Sequence, residues 1–276
     1  MPVQTKTLRK IVSYLNNPDE EGGFWLPNIQ RPFVWSEDQI CRLFDSILRE
    51  YPISTLLIWK TNSRIRRRKF IDNWKASMKS RLSEFFVPEG DKKKCLVLDG
   101  QQRLQSLYIG LKGSFDGKEL YFDTLSGDGT SPEDVKYSFE FRTQGESTFP
   151  WIKFKEIVFS EERGTSWVKK IIAQSNVELD ENSKSRIESN VEAVIHAFRT
   201  SESITYQELD SIDNPSSYSD DDVVEIFIRA NSGGTKLEKS DLLFSLLVSS
   251  WESADTKMEE LLAVLNRPGF DFDRDF

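Results

Sequence analysis

The sequence predicts an α+β fold, and three observations carry that expectation. Cys95-Leu96-Val97-Leu98 is an apolar run of strand length that meets a polar turn at Asp99-Gly100. It is followed at once by Leu104, Leu107, Tyr108 and Leu111 at helical spacing, so a buried strand passes directly into an amphipathic helix. Helical periodicity recurs near both ends of the chain, while Glu119–Asp123, Lys136–Arg142 and Trp151–Phe159 between them alternate as strands do. With 276 residues, 38% of them hydrophobic, the chain can bury one sizeable core.

Taken in order, Thr5–Leu15 carries Leu8, Ile11, Val12 and Leu15 on one helical face. A loop closed by Gly22-Gly23 leads into Phe24–Trp35, where Pro27 and Pro32 argue against a helix or a central strand and favour an extended segment presenting Gln30 and Arg31. Ser36 and Gln39 have the spacing of a capping box, opening a helix that ends near Tyr51-Pro52. Asp45 lies on that helix between apolar neighbours, a setting in which a carboxylate needs a partner or a function unless it sits at the stripe's edge. Ile53–Trp59 reads as a buried strand, and Phe70–Phe86 as a helix with Ile71, Trp74, Met78 and Leu82 in a stripe. Beyond the alternating segments, Trp167–Gln174 and Ser183–Phe198 are helical. Ser219 and the acidic residues after it start a further helix ending at Asn231, before Gly233 and Gly234. A last helix spans Ser240–Trp251. One domain is expected over 1–276, with a core at about 5–123 and 219–265 and an inserted meander and helices at about 124–218.

The turn after the central strand gathers a carboxylate, a glycine, two amides and a guanidinium in Asp99, Gly100, Gln101, Gln102 and Arg103. Gly100 permits backbone conformations other residues resist. The helix start offers unpaired N–H groups and the positive end of its dipole to an anion, and Arg103 adds a planar fork suited to phosphate. The same residues also suit a plain tight turn, with Arg103 paired to a nearby carboxylate.

Composition narrows the chemistry. One histidine, His196 in an apolar helical stretch, argues against a Ser-His-Asp triad, an HNH-type nuclease or a histidine-rich metal site. Two cysteines, Cys41 and Cys95, make neither a disulfide framework nor a four-ligand zinc site. With no membrane-length apolar run and no signal-peptide core at the start, a cytoplasmic location is expected. Residues 1–113 hold 20 Lys+Arg against 12 Asp+Glu, a net of +8, and the remainder 17 against 33, a net of −16. The densest basic run is Arg64, Arg66, Arg67, Arg68 and Lys69, with Lys92–Lys94 a second. Each is a solvated loop or edge, or a contact to nucleic-acid phosphates.

The strand followed by Asp99-Gly100-Gln101-Gln102-Arg103 resembles the signature of the GmrS-type domain in the ParB/sulfiredoxin-like superfamily, which stands at the front of GmrSD and SspE-like restriction proteins acting on modified phage DNA. Three further blocks carry the resemblance in order: Gln30-Arg31-Pro32-Phe33-Val34-Trp35, the helix Ser36–Glu50 with Tyr51-Pro52-Ile53-Ser54, and Phe227–Gly234 with Leu237–Leu242. Ala230 stands where the family usually has Leu. The resemblance implies a ParB/sulfiredoxin-like core of a small mixed sheet with flanking helices, and a domain that binds and hydrolyses a nucleoside triphosphate with Mg²⁺. Hydrolysis would be coupled to sensing modified DNA and to a nuclease domain in the same or a partner chain, with no membrane partner. It places catalysis at Asp99, Gln101, Gln102 and Arg103. Nucleotide binding would fall to Gln30, Arg31, Asp45, Gly100, Asn231, Gly233 and Gly234, and Mg²⁺, through water, to Asp99 or Asp45. Trp35 would be a base-stacking candidate. DNA would meet Arg64, Arg66, Arg67, Arg68 and Lys69. No Walker phosphate loop is present, and Gln101 holds the place of the sulfiredoxin cysteine, which argues against sulfinic-acid repair. The chain is expected to be the front part of a longer protein.

Overall fold

The computed structural model describes residues 3–27, 33–63, 67–75, 86–87, 93–128, 134–143, 145, 148–176, 178–216, 218–231 and 254–266. These form a mixed α+β architecture built on a seven-stranded sheet. Its strands are β1 (Val3–Lys6), β2 (Phe24–Pro27), β3 (Leu56–Thr61), β4 (Arg67–Arg68), β6 (Phe86–Val87), β7 (Lys94–Asp99) and β12 (Ile204–Asp210), in the order β1-β12-β3-β7-β2-β4-β6. β5 (Asn73–Trp74) pairs with β8 (Ser114–Phe115), and the expected meander is a three-stranded antiparallel sheet of β9 (Glu119–Asp123), β10 (Phe139–Arg142) and β11 (Trp151–Lys153).

β7 is central because both its faces are covered. Cys95 and Val97 point into the larger core with Leu56, Ile58, Ile204 and Tyr206. Leu96 and Leu98 point the other way, against Trp25, Trp59 and Leu209. A strand buried on both sides reads as a continuous apolar run rather than an alternation, as Cys95–Leu98 does. The larger core is roofed by α1 (Leu8–Tyr14), α2 (Glu37–Leu48) and α3 (Gln101–Lys112), then by α4 (Phe154–Phe159), α5 (Gly164–Gln174) and α6 (Glu181–Ile195). Phe44, Phe139, Phe154 and Phe198 form its aromatic centre, with Phe139 and Phe154 edge-on at 5.0 Å. The second face is covered by α7 (Asp220–Asn231), which contributes Val223 and Phe227. A further helix, α8, spans Ala254–Leu265.

Several local expectations change. The first helix starts at Leu8 rather than Thr5, because Thr7 caps it by accepting from the Lys10 amide (3.1 Å) while Val3–Lys6 pairs with β12. Phe24–Pro27 lies inside the sheet after all, with Pro27 as its last residue, where a missing N–H disturbs the ladder least. The helix expected over Phe70–Phe86 is absent where the chain is described. Both backbone groups of Ile71 bond the Gln105 amide, Trp74 sits in β5 against Phe33, and 86–87 is β6; 76–85 lie outside the described residues. Trp151–Phe159 is strand only to Lys153, because Phe154, Ile157 and Val158 bury at helical spacing. β12, within the stretch expected to be an insertion, pairs in parallel with β3 in the main sheet. The helix expected at Ser240–Trp251 lies outside the described residues.

Candidate functional site

β7 delivers Asp99 to the edge of the fold, and Gly100 makes the corner. Its φ is +90°, in the left-handed region, and a Cβ there would overlap the Leu56 side chain. The Leu104 amide bonds the Gly100 carbonyl (2.9 Å), which starts α3, but no side chain caps the helix. The first turn of α3 thus stands at the positive end of the helix dipole. The capping expected at α2 is present, with Ser36 accepting from the Gln39 amide and Gln39 from the Ser36 amide.

The four central side chains have distinct surroundings. Asp99 is 43% exposed. Arg103 lies against it, Nη2 to Oδ2 3.3 Å, and also donates to the carbonyls of Ile53 and Thr55. Burial draws the Arg103 guanidinium below its usual range, and the Asp99 charge opposes that shift. Gln101 turns back to the carbonyl of Val97 (2.8 Å), fastening helix to strand. Gln102 accepts from the Val34 amide (3.2 Å) and so touches the segment that follows Gln30 and Arg31. Trp35 is partly buried against the larger core.

Topology brings other elements toward this end. β2 runs parallel to β7, Phe24 opposite Cys95 and Trp25 opposite Leu96, so the chain leaves Pro27 at the end of the sheet where β7 delivers Asp99. α7 begins where Tyr218 accepts from Ser211 Oγ, which in turn accepts from Trp59 Nε1, and then packs on β7. Its twelve residues span about 18 Å at 1.5 Å each. Asn231 closes this helix. Gln30, Arg31, Gly233 and Gly234 lie outside the described residues.

Asp45 belongs elsewhere. It is 6% exposed, and its Oδ1 accepts from the Tyr137 (2.8 Å) and Lys136 (3.2 Å) amides, with Arg49 3.6 Å from Oδ2. Its neighbour Phe44 packs at Gly110, about 15 Å along α3 from Gly100. Asp45 is thus a buried fastener for the strand before β10, and it does not fit a metal or nucleotide role. No group of three or more metal-ligating side chains occurs among the described residues. Among the described residues Asp99 is the carboxylate at this turn that could meet a hydrated Mg²⁺.

The basic run is only partly a surface. Arg68 is 4% exposed, and Arg67 is half-buried with its guanidinium 4.3 Å over the Trp25 ring. Arg68 therefore does not face a duplex, because β4 turns it into the protein. Lys69 is exposed, Lys93 is exposed, and Lys94 is buried and donates to the Ser63 carbonyl. Arg64, Arg66 and Lys92 lie outside the described residues. His196 lies at the surface despite its apolar neighbours in sequence. It is 59% exposed and 3.3 Å from Glu50, in a π-helical turn at His196–Thr200.

Sequence reasoning passed over Gln105, 4% exposed and bonded to both backbone groups of Ile71. Its signal was an amide one turn after Gln101, between Leu104 and Leu107. No helix among the described residues is long and apolar enough to cross a membrane. A search of curated proteins finds no match for the chain. The family model for the GmrSD restriction endonuclease N-terminal domain matches residues 11–248. The ordered motifs, the mixed sheet and this match together make the chain a member of the GmrSD N-terminal domain family, a family of restriction and phage-defence proteins.

Proposed function

We propose that this domain binds and hydrolyses a nucleoside triphosphate at the Asp99–Arg103 turn. In this reading it is the regulatory part of a modification-dependent DNA restriction protein, coupling nucleotide state to DNA sensing and to a separate nuclease domain. The observation that carries the reading is a left-handed glycine at the start of α3, with a partly exposed carboxylate on one side and a guanidinium one turn in. Such a start suits phosphate oxygens, and Arg103 would oppose negative charge growing during phosphoryl transfer. Asp99 would take a hydrated Mg²⁺ or orient the attacking water. Gln102, in contact with the Val34 backbone, is placed to sense a ligand held by the Gln30–Arg31 segment.

A second reading has its own observation. Arg103 is already bonded to two carbonyls and to Asp99, so it needs to release them before it can grip a phosphate. This favours a domain that binds nucleotide to change conformation without hydrolysing it. The test is phosphate release by the purified chain with Mg²⁺ and each common nucleoside triphosphate, alongside equilibrium binding. Hydrolysis at this site predicts that Asp99→Asn abolishes release while the melting temperature holds, since Asp99 is substantially exposed. Saturable binding without release in the wild type supports the second reading, and release that survives Asp99→Asn removes the first.

A further inference from the structure

A cleft of about 270 Å³ lies between the end of α2 and the π-helical turn, and it meets the site above only at Ile53, whose carbonyl accepts from Arg103. Its floor includes Leu8, Ile47 and Ala197, all buried, and its rim carries Glu50 and His196. The way α2 ends gives this cleft its chemistry. Glu50 N–H donates to the Ile47 carbonyl (3.0 Å) and Tyr51 N–H to the Ser46 carbonyl (2.9 Å), the paired bonds of a Schellman closure. Such a closure puts the residue just after the C-cap in the left-handed region, normally glycine's place, and here Glu50 occupies it with φ +58°. A side chain held in that strained conformation calls for a reason beyond ending the helix. Its carboxylate stands beside the negative end of the α2 dipole. The nearby Arg49 guanidinium is already engaged, donating to the Asp134 carbonyl (2.7 Å) and stacking on the ring of Tyr51, which also lines the cleft.

We infer that this cleft binds an alkyl cation, an ammonium or guanidinium on a short aliphatic stem. The stem lies on Leu8, Ile47 and Ala197, and the charge meets the Glu50 carboxylate in place of, or together with, His196. The inference goes beyond the nucleotide reading and does not depend on it.

The experiment is calorimetric titration of the full 276-residue chain with two probes: agmatine, for a free amine, and acetyl-arginine amide, for a basic side chain presented by a polypeptide. Saturable binding of either probe to the wild type is expected, and the tighter probe identifies the source. Glu50→Gln should weaken binding by about tenfold or more, the loss of one charge-assisted hydrogen bond. Glu50→Gly should weaken it as much while leaving the melting temperature unchanged or raised, since glycine relieves the strained backbone. No saturable binding of either probe, or affinity untouched in Glu50→Gln, overturns the proposal. A melting temperature clearly lowered by Glu50→Gly overturns the argument from strain.

Discussion

Gly100 shows how tightly single positions constrain the turn. Its positive φ and the Leu56 side chain against it penalise any Cβ by two separate routes. Gly100→Ala should therefore cost about 1–3 kcal/mol, read as a lower midpoint in urea. Adding Leu56→Ala should recover the overlap but not the dihedral strain, so the double variant should be more stable than the two single effects added together predict. Arg103 calls for a different expectation from the one its exposed-turn appearance suggests. Read from the sequence alone, Arg103→Ala should abolish the proposed turnover with little change in melting temperature. In the structure the guanidinium satisfies the Ile53 and Thr55 carbonyls, so its loss should also cost about 1–3 kcal/mol. An unchanged melting temperature would show that these bonds contribute nothing net. Cys95 needs no such trade, since burial pushes its thiol up to about 12 and leaves it shielded from solvent.

At the scale of elements, α7 is held to the sheet by a small second core. Val223 and Phe227 share a cluster with Trp25, Trp59, Leu96, Leu98 and Leu209, with Ile226 packed against it. Phe227→Ala should cost about 3–5 kcal/mol if the core cannot collapse around the gap. If α7 peels away first, hydrogen exchange should show Asp220–Asn231 losing protection while α3 keeps its own. A uniform loss across both helices would instead mean that the two cores unfold as one unit. β7 couples these cores, since alternate residues of one strand feed each.

For the whole molecule, pH and salt are the natural probes. Lys60 donates to Asp210 (2.5 Å) and Asp213 (2.7 Å) at the end of the sheet away from Asp99. Burial alone would raise the Asp210 carboxyl, but Lys60 and the Asp213 and Ile212 amides outweigh it and hold the value down. A depressed carboxylate contributes stability above its unfolded pKa of about 3.9, and that contribution is lost as pH falls through the lower folded value. Asp210→Asn should therefore flatten the acid limb of the stability curve below about pH 4 and leave its shape near neutrality unchanged. The charge split between the two halves motivates weak, salt-dependent DNA binding, with affinity falling by about 0.9 log units per log unit of salt for each phosphate neutralised. Reversing Arg66, Arg67 and Arg68 together is a poor test, because Arg68 is buried and its reversal would damage the fold. Lys69→Glu with Lys93→Glu should flatten the salt slope in fluorescence anisotropy while leaving nucleotide turnover intact. An unchanged slope would make both lysines ordinary solvated positions.

By itself the sequence determined the local features whose cause lies within a few residues. The Ser36–Gln39 capping box, the Cys95–Leu98 strand with its glycine corner, the meander and the run of α3, α5 and α6 are all set by short-range periodicity and hydrogen bonding. The ordered motifs likewise identified the family. What the tertiary structure alone decided depends on partners distant in the chain. Phe70–Trp74 has a helical stripe, yet Gln105 and β8 claim its backbone. Ile204–Asp210 shows no obvious role until β1 and β3 flank it. Asp45 and Arg68 look like site residues in sequence, Asp45 because a carboxylate between apolar neighbours signals either function or a buried partner, and Arg68 because it belongs to the densest basic run. Only the fold supplied those partners: amides from residues 136 and 137 for one, and the β2–β4 pairing for the other. A carboxylate's neighbours along the chain do not reveal which distant donors the folded chain will bring to it.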